Sequence, residues 1–159
     1  MTTDALQIKL LSECQENIPE LAHLWYEEIS KQWVPNSSVE RATQNLIQHS
    51  NTDIMPMTFV AQQNGEAIGM ASLRDNDGIR DDLSPWLGTL IVHPKHRQRK
   101  VGEALIETTK DQARKLGFDR LYLLAFNLTI PKWYARLGWE KIGMDTLFLH
   151  PVTVMQIEI

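Results

Sequence analysis

Seven residues, Trp86 to Val92 (WLGTLIV), run apolar between Pro85 and Pro94. A run of that length bounded by prolines predicts a strand buried on both faces. Beyond it, Val101, Leu105, Ile106, Thr109, Ala113 and Leu116 share one face of a predicted helix, Glu107, Lys110, Asp111 and Lys115 stay outside, and Gly117 supplies the stop. Residues 121–125 (LYLLA) then form a second apolar strand. Strand, helix, strand in this order requires two parallel strands joined by a right-handed crossover. The rest of the chain must cover that unit.

The flanking segments read as antiparallel and helical. Residues 7–12 (QIKLLS) alternate as a short strand does. In Asn17-Ile-Pro-Glu, Asn17 can cap a helix, Pro19 suits its first turn and Glu20 completes a capping box. Ile18, Leu21, Trp25 and Ile29 carry that helix to about Trp33, before Pro35. Ser37 with Glu40 opens a second helix through Val39, Ala42, Leu46 and Ile47, ending near Ser50 and Asn51. MTFVAQQ and EAIGMASL flank Asn64-Gly65, a tight hairpin signal. The stretch from Arg74 to Pro85 (RDNDGIRDDLSP) reads as an exposed acidic loop suited to a cationic substrate. A short helix around Ile130 to Leu137 ends at Gly138, and Trp139–Phe148 and Val152–Ile159 read as closing strands. With 159 residues and no repeat or linker, one domain over residues 1–159 is expected.

Charge narrows the function classes. The net charge of −4 argues against whole-surface attraction to nucleic acid. No stretch has the apolar length to cross a bilayer, and MTTDALQIKL lacks a signal-peptide layout, so no membrane partner and a cytoplasmic location are expected. A lone Cys14 forms neither an internal disulfide nor a cysteine-rich metal site, and no metal is expected. Against this background Lys95, Arg97, Arg99 and Lys100 cluster where the first strand turns into the helix. Such a turn directs free backbone N–H groups and a positive helix end at one spot, and Gly102 admits close approach, which suits a pyrophosphate. The same residues also fit a solvated basic turn with Gly102 serving helix packing, and spacing alone leaves both open. Four cations in one turn without interleaved aromatics are a poor nucleic-acid surface.

Val92-His93-Pro94 followed by Arg97-Gln98-Arg99-Lys100-Val101-Gly102 resembles the signature of the GNAT superfamily of acyl-CoA-dependent N-acetyltransferases, a strand ending V-x-P and then Arg/Gln-x-x-Gly-x-Gly/Ala opening a helix. Downstream, Asn127, Tyr134 and Leu137-Gly138-Trp139 are similar to the same family's next segment, and the resemblance extends over nearly the whole chain. Lys100 stands in place of the family's central glycine, and Gln98 where another glycine is frequent. If Lys100 takes a glycine-like conformation, the cost is about 1–3 kcal/mol. If its backbone is helical, it adds a cation at no such cost.

The resemblance implies a mixed α/β, α+β-like fold: a mostly antiparallel sheet around a central parallel strand–helix–strand unit, with flanking helices. It implies acetyl-CoA as co-substrate, held by Leu90, Ile91, Val92, Arg97, Gln98, Arg99, Lys100, Val101, Gly102 and Asn127, with a backbone N–H near Ile91 or Val92 for the oxyanion. Tyr134 takes the general-acid position, although a tyrosine beside Trp133 is more commonly core packing. The base is left open between Glu28, Asp82, His93 and His150, reached through water. Trp25, Trp33 and Trp86 are candidate walls of an acceptor pocket, and Glu28, Asp82 and Trp86 its candidate contacts. The acceptor is expected to be a small-molecule or peptide amine, and the protein a monomer or homodimer. The alternative is a catalytically degenerate acyl-CoA-binding regulatory module, for which Lys100 and the absence of a carboxylate in the central strand speak.

Overall fold

The computed structural model describes residues 5–159. Among them no helix is long and apolar enough to cross a membrane. Chain order gives β1 (Gln7–Leu10), α1 (Ile18–Trp25), a π-helical turn (Tyr26–Ser30), α2 (Lys31–Trp33), α3 (Val39–Gln48), β2 (Met57–Gln63), β3 (Glu66–Arg74), β4 (Trp86–Val92), α4 (Val101–Lys115), β5 (Arg120–Ala125), α5 (Pro131–Arg136), β6 (Glu140–Leu147) and β7 (His150–Glu158). The seven strands form one sheet in the order β1-β2-β3-β4-β5-β7-β6. Every neighbouring pair is antiparallel except β4 and β5, as the strand–helix–strand pattern requires.

Alternation along the strands loads both faces of the sheet. Phe59 and Ala61 of β2, Leu73 of β3, Leu87 of β4 and Leu121 and Leu123 of β5 join Leu105 and Ile106 of α4 in one core. Val60, Met70 and Ile91 point the other way and pack with Leu21 of α1 and Leu46 of α3. Beyond β4, Trp86, Tyr122, Val152, Val154 and Ile79 form a third cluster. The β2–β3 turn uses left-handed backbone at Asn64 (φ 54°) and Gly65 (φ 77°), the conformation a two-residue hairpin needs.

Local capping departs from expectation in two places. Asn17 does not cap α1: its side chain is buried and accepts a hydrogen bond from Gln62 Nε2 at 2.6 Å. Two short 3₁₀ turns, Leu11–Glu13 and Gln15–Asn17, feed straight into α1, which frees Asn17 to satisfy a buried amide on β2. Ser38, not Ser37, caps α3 by accepting from the Arg41 backbone N–H at 3.1 Å, while Ser37 Oγ donates to the Ser30 carbonyl. The single helix expected up to Trp33 is interrupted by the π turn at Tyr26–Ser30.

Close approach of β3 to β4 depends on Gly69. A Cβ there would lie 2.8 Å from the Ile91 carbonyl oxygen and 3.3 Å from a Leu105 methyl. Gly69→Ala is expected to destabilise the fold by about 1–3 kcal/mol, as overpacking against immovable backbone does. Urea denaturation reads this as a lower midpoint at unchanged slope.

Candidate functional site

β4 and β5 are joined by one register pair, Trp86 opposite Tyr122, together with the Tyr122 N–H donating to the Pro85 carbonyl at 3.0 Å. Past this point the strands part. The opening is a cleft of about 1380 Å³, lined along one wall by β4 and the start of α4 and along the other by Leu124, Ala125, Asn127 and Tyr134. β4 carries a bulge inside it: Met70 faces Ile91 and Ser72 faces Gly88, so Thr89 and Leu90 together oppose Ala71 alone. Thr89 adopts φ 49°, an uncommon conformation for a β-branched residue. The bulge leaves the backbone of Thr89 and Leu90 outside the β3 ladder, at the cleft.

Between β4 and α4 the chain is folded by its own side chains. His93 Nδ1 accepts from the Lys95 backbone N–H at 3.1 Å. Arg97 Nε donates to the Val92 carbonyl at 3.1 Å, and its terminal nitrogen lies 3.1 Å from Glu28. Gln98 (φ 65°) and Lys100 (φ 62°, ψ 21°) are both left-handed. Lys100 therefore takes the glycine-like conformation, and no side chain caps α4, whose first N–H groups remain available to an anion. Arg97, Gln98 and Lys100 line the cleft, with Val101 and Gly102, whereas Lys95 and Arg99 are exposed beside it. Gly102 serves packing: a Cβ on it would lie 3.3 Å from the Trp133 ring. Replacing Lys100 by Gly should relieve about 1 kcal/mol of left-handed strain. The expected result is a melting temperature higher by roughly 2–4 °C in the ligand-free protein.

Across the cleft, Tyr134 is 8% exposed and packs edge-on between Trp133 (5.0 Å) and Trp139 (5.7 Å). Burial pushes its phenol pKa well above the ordinary value, so the hydroxyl keeps its proton at any physiological pH. Asn127 Oδ1 accepts from Thr129 N (2.9 Å) and Thr129 Oγ1 (2.7 Å), which fixes the turn leading from β5 into α5. His96 Nδ1 is buried without a partner at the cleft.

The far end of the cleft joins two expected walls, Trp25 and Trp33, to residues that the sequence did not single out. Arg74, at the end of β3, donates to Asp77 Oδ1 at 2.7 Å and to Thr89 Oγ1, and its guanidinium lies 5.5 Å from the Trp25 ring centroid. Gly88 makes room for it, since a Cβ there would meet the Arg74 side chain at 2.9–3.2 Å. Asp77 is enclosed with it, and burial raises its pKa against the opposing pull of Arg74. Trp33, Phe126 and Phe148 stack in series at 5.5 and 6.5 Å. Among the described residues no three His, Cys, Asp or Glu side chains gather as metal ligands would.

A match to the acetyltransferase (GNAT) family spans residues 20–139. The chain belongs to that family. It is 31% identical over 88 residues to an amino-acid acetyltransferase of Pseudomonas syringae pv. syringae, a segment covering 55% of this chain and only 19% of that protein. In fold it is similar to a GCN5-related N-acetyltransferase from Kribbella flavida (TM-score 0.76, 21% identity, 99% of this chain and 100% of that one). It is similar also to N-acetylglutamate synthase from Neisseria gonorrhoeae, solved with coenzyme A and N-acetyl-glutamate (TM-score 0.71, 19% identity, 99% of this chain and 36% of that one).

On this GNAT scaffold two expected acceptor contacts fall away. Trp86 is fully buried, its indole N–H donating to the Leu83 carbonyl at 2.8 Å, and does not line the cleft. An apolar residue at the one β4–β5 pair is needed as core. Asp82 is exposed and held by Arg80 at 2.9 Å, away from the cleft. Within the acidic loop Asp77 pairs with Arg74 and Asp82 with Arg80, Asp81 accepts from the Asn76 amide, and Ile79 is buried rather than exposed. Glu28 does line the cleft, tied to Arg97. His150 belongs to the aromatic stack, edge-on to Trp33 at 5.1 Å.

Beneath Arg74, burial and then the Arg74 charge depress the His49 pKa from 6.5 to about 4. Its Nδ1 is buried without a partner, and its ring leans on Trp25. On acidification the unfolded chain takes up this proton first, so the contribution is present above pH 6.5 and is lost as pH falls towards 4. His49→Phe should flatten the fall of unfolding free energy over that window by close to one proton's worth of slope, as urea titrations at stepped pH would register.

Proposed function

We propose that the chain transfers the acetyl group of acetyl-CoA to the primary amine of a small molecule or peptide. The observation that carries this reading is the parting of two parallel strands after a single pair, with an uncapped helix start at Lys100–Gly102 on one side of the opening and Tyr134 on the other. Pantetheine would run along Leu90 to Val92 and the pyrophosphate would sit on the α4 N–H groups beside Arg97, Gln98 and Lys100, near His96. Asn127 would meet the co-substrate from the β5 side. A cytoplasmic setting, where acetyl-CoA is at hand and Cys14 stays reduced, goes with the reading.

Chemically, a neutral amine forms an N–C bond to the thioester carbonyl, the oxyanion is met by a backbone N–H near Ile91 or Val92, and collapse breaks the C–S bond. The amine's surplus proton leaves to water, and the thiolate takes one from Tyr134, which is reprotonated from solvent. A raised phenol pKa opposes that donation, but the same dry cleft raises the basicity of the thiolate.

Acetyl-CoA should raise the melting temperature, because a ligand bound only by the folded state stabilises it. Tyr134→Phe keeps the packing against Trp133 and Trp139 and should lower turnover about 100-fold with acetyl-CoA affinity retained. The deficit should shrink at alkaline pH, where the thiolate leaves unaided. Full turnover in the variant with chemistry rate-limiting would return Tyr134 to core packing. Stabilisation by acetyl-CoA without acetylation of any amine would favour the regulatory module instead.

A further inference from the structure

The acceptor half of the cleft carries a cation and an aromatic wall, and together they describe the molecule that fits between them. Arg74 is held in one orientation by Asp77, Thr89 and Trp25, with its side chain 17% exposed at the cleft. A guanidinium has five N–H donors, and these side chains engage two. Nε is buried without a partner. Arg41, exposed at the cleft rim, makes no ion pair among the described residues. Of the neighbouring loop's carboxylates, Asp77 is paired with Arg74 and Asp82 with Arg80. Opposite stands the stack of Trp33, Phe126 and Phe148, of which Phe148 is 45% exposed and open to contact.

We infer that the acceptor is an α-amino acid with a large apolar side chain. The inference rests on the acetyl-transfer reading above and names the substrate class of that site. The carboxylate takes the free N–H donors of Arg74, a charge-assisted and directional contact. The side chain lies against the aromatic wall. Because Arg74 also touches Thr89, an amine one carbon from that carboxylate lies beside the Thr89–Leu90 bulge, on the strand along which the thioester is proposed to run. The bond changes are those already given: N–C made, C–S broken, the ammonium's surplus proton released to water.

The test uses the full chain with acetyl-CoA, following CoA thiol release and confirming product mass. The acceptors are phenylalanine, alanine, phenylalaninamide, phenethylamine, glutamate and spermidine. Phenylalanine is expected to exceed its amide and phenethylamine in kcat/KM by about 10-fold to 100-fold, the worth of a hydrogen bond to a charged group, and to exceed glutamate as well. Arg74→Lys should narrow the ratio of phenylalanine to phenethylamine. Phe148→Ala, at a half-exposed position that does not endanger folding, should raise KM for phenylalanine several-fold more than for alanine. Equal or better use of phenethylamine or the amide, or preference for glutamate or spermidine, would overturn the inference. So would an Arg74→Lys loss that is uniform across acceptors. Stabilisation by acetyl-CoA with no amino acid acetylated defeats the acceptor class alone, whereas no stabilisation and no turnover defeats the acetyl-transfer reading and this inference with it.

Discussion

Everything in the site depends on where β4 and β5 stop pairing. Parallel strands normally gain backbone hydrogen bonds along their whole length. Here Trp86 and Tyr122 form the last pair, clamped by a buried tryptophan and the Pro85 carbonyl, and the remaining edges face each other across open space. Such a gap would be expensive in a continuous sheet, since unpaired backbone groups must find partners. Antiparallel pairing of β5 with β7 over six residues, and of β4 with β3 on its other side, holds each strand firmly enough to leave one edge free. The free edges are where a ligand's own amides can complete the sheet.

The strained residues lie where the surroundings over-determine them. Thr89 and Lys100 both occupy left-handed backbone that glycine would take at no cost. Thr89 is locked by the β3 ladder on either side and by Arg74 on its hydroxyl. Lys100 is locked by α4, whose Val101, Leu105 and Ile106 are committed to the core. Such strain concentrates at functional positions because the fold there serves geometry before stability. In the same way Arg74 and Asp77, a charged pair enclosed beside the cleft, are weak evidence for stability and better read as orientation.

The parallel unit, the hairpin, α4 and the closing strands were legible because each is written in local periodicity: two for strands, 3.6 for helices, with Gly117 and Gly138 as stops. The turn that brings Arg97, Gln98, Lys100, Val101 and Gly102 to the cleft was legible from family resemblance, charge alone having left a solvated basic turn equally open. At the far end of the cleft Trp25 and Trp33 were legible as candidate walls, and the rest was not. Arg74 ends an ordinary strand pattern, Asp77 sits in a loop whose composition suggested exposure, and Phe126 and Phe148 are 22 residues apart in the chain. What unites them is tertiary: a bulge, a loop folded onto its own strand and a hairpin tip brought back over β5. Capping failed for a similar reason, since Asn17 found a better partner in Gln62 than in the helix it precedes.

The π turn at Tyr26–Ser30 has a geometric consequence for Trp25 and Trp33, both of which line the cleft. Eight residues of regular α-helix would place their side chains about 80° apart in azimuth. One residue absorbed as a bulge leaves seven α-helical steps, and the offset falls to about 20°. The extra residue thus acts as a phase corrector, turning the second indole onto the same meridian as the first, so that two rings a helix would have splayed look into one chamber.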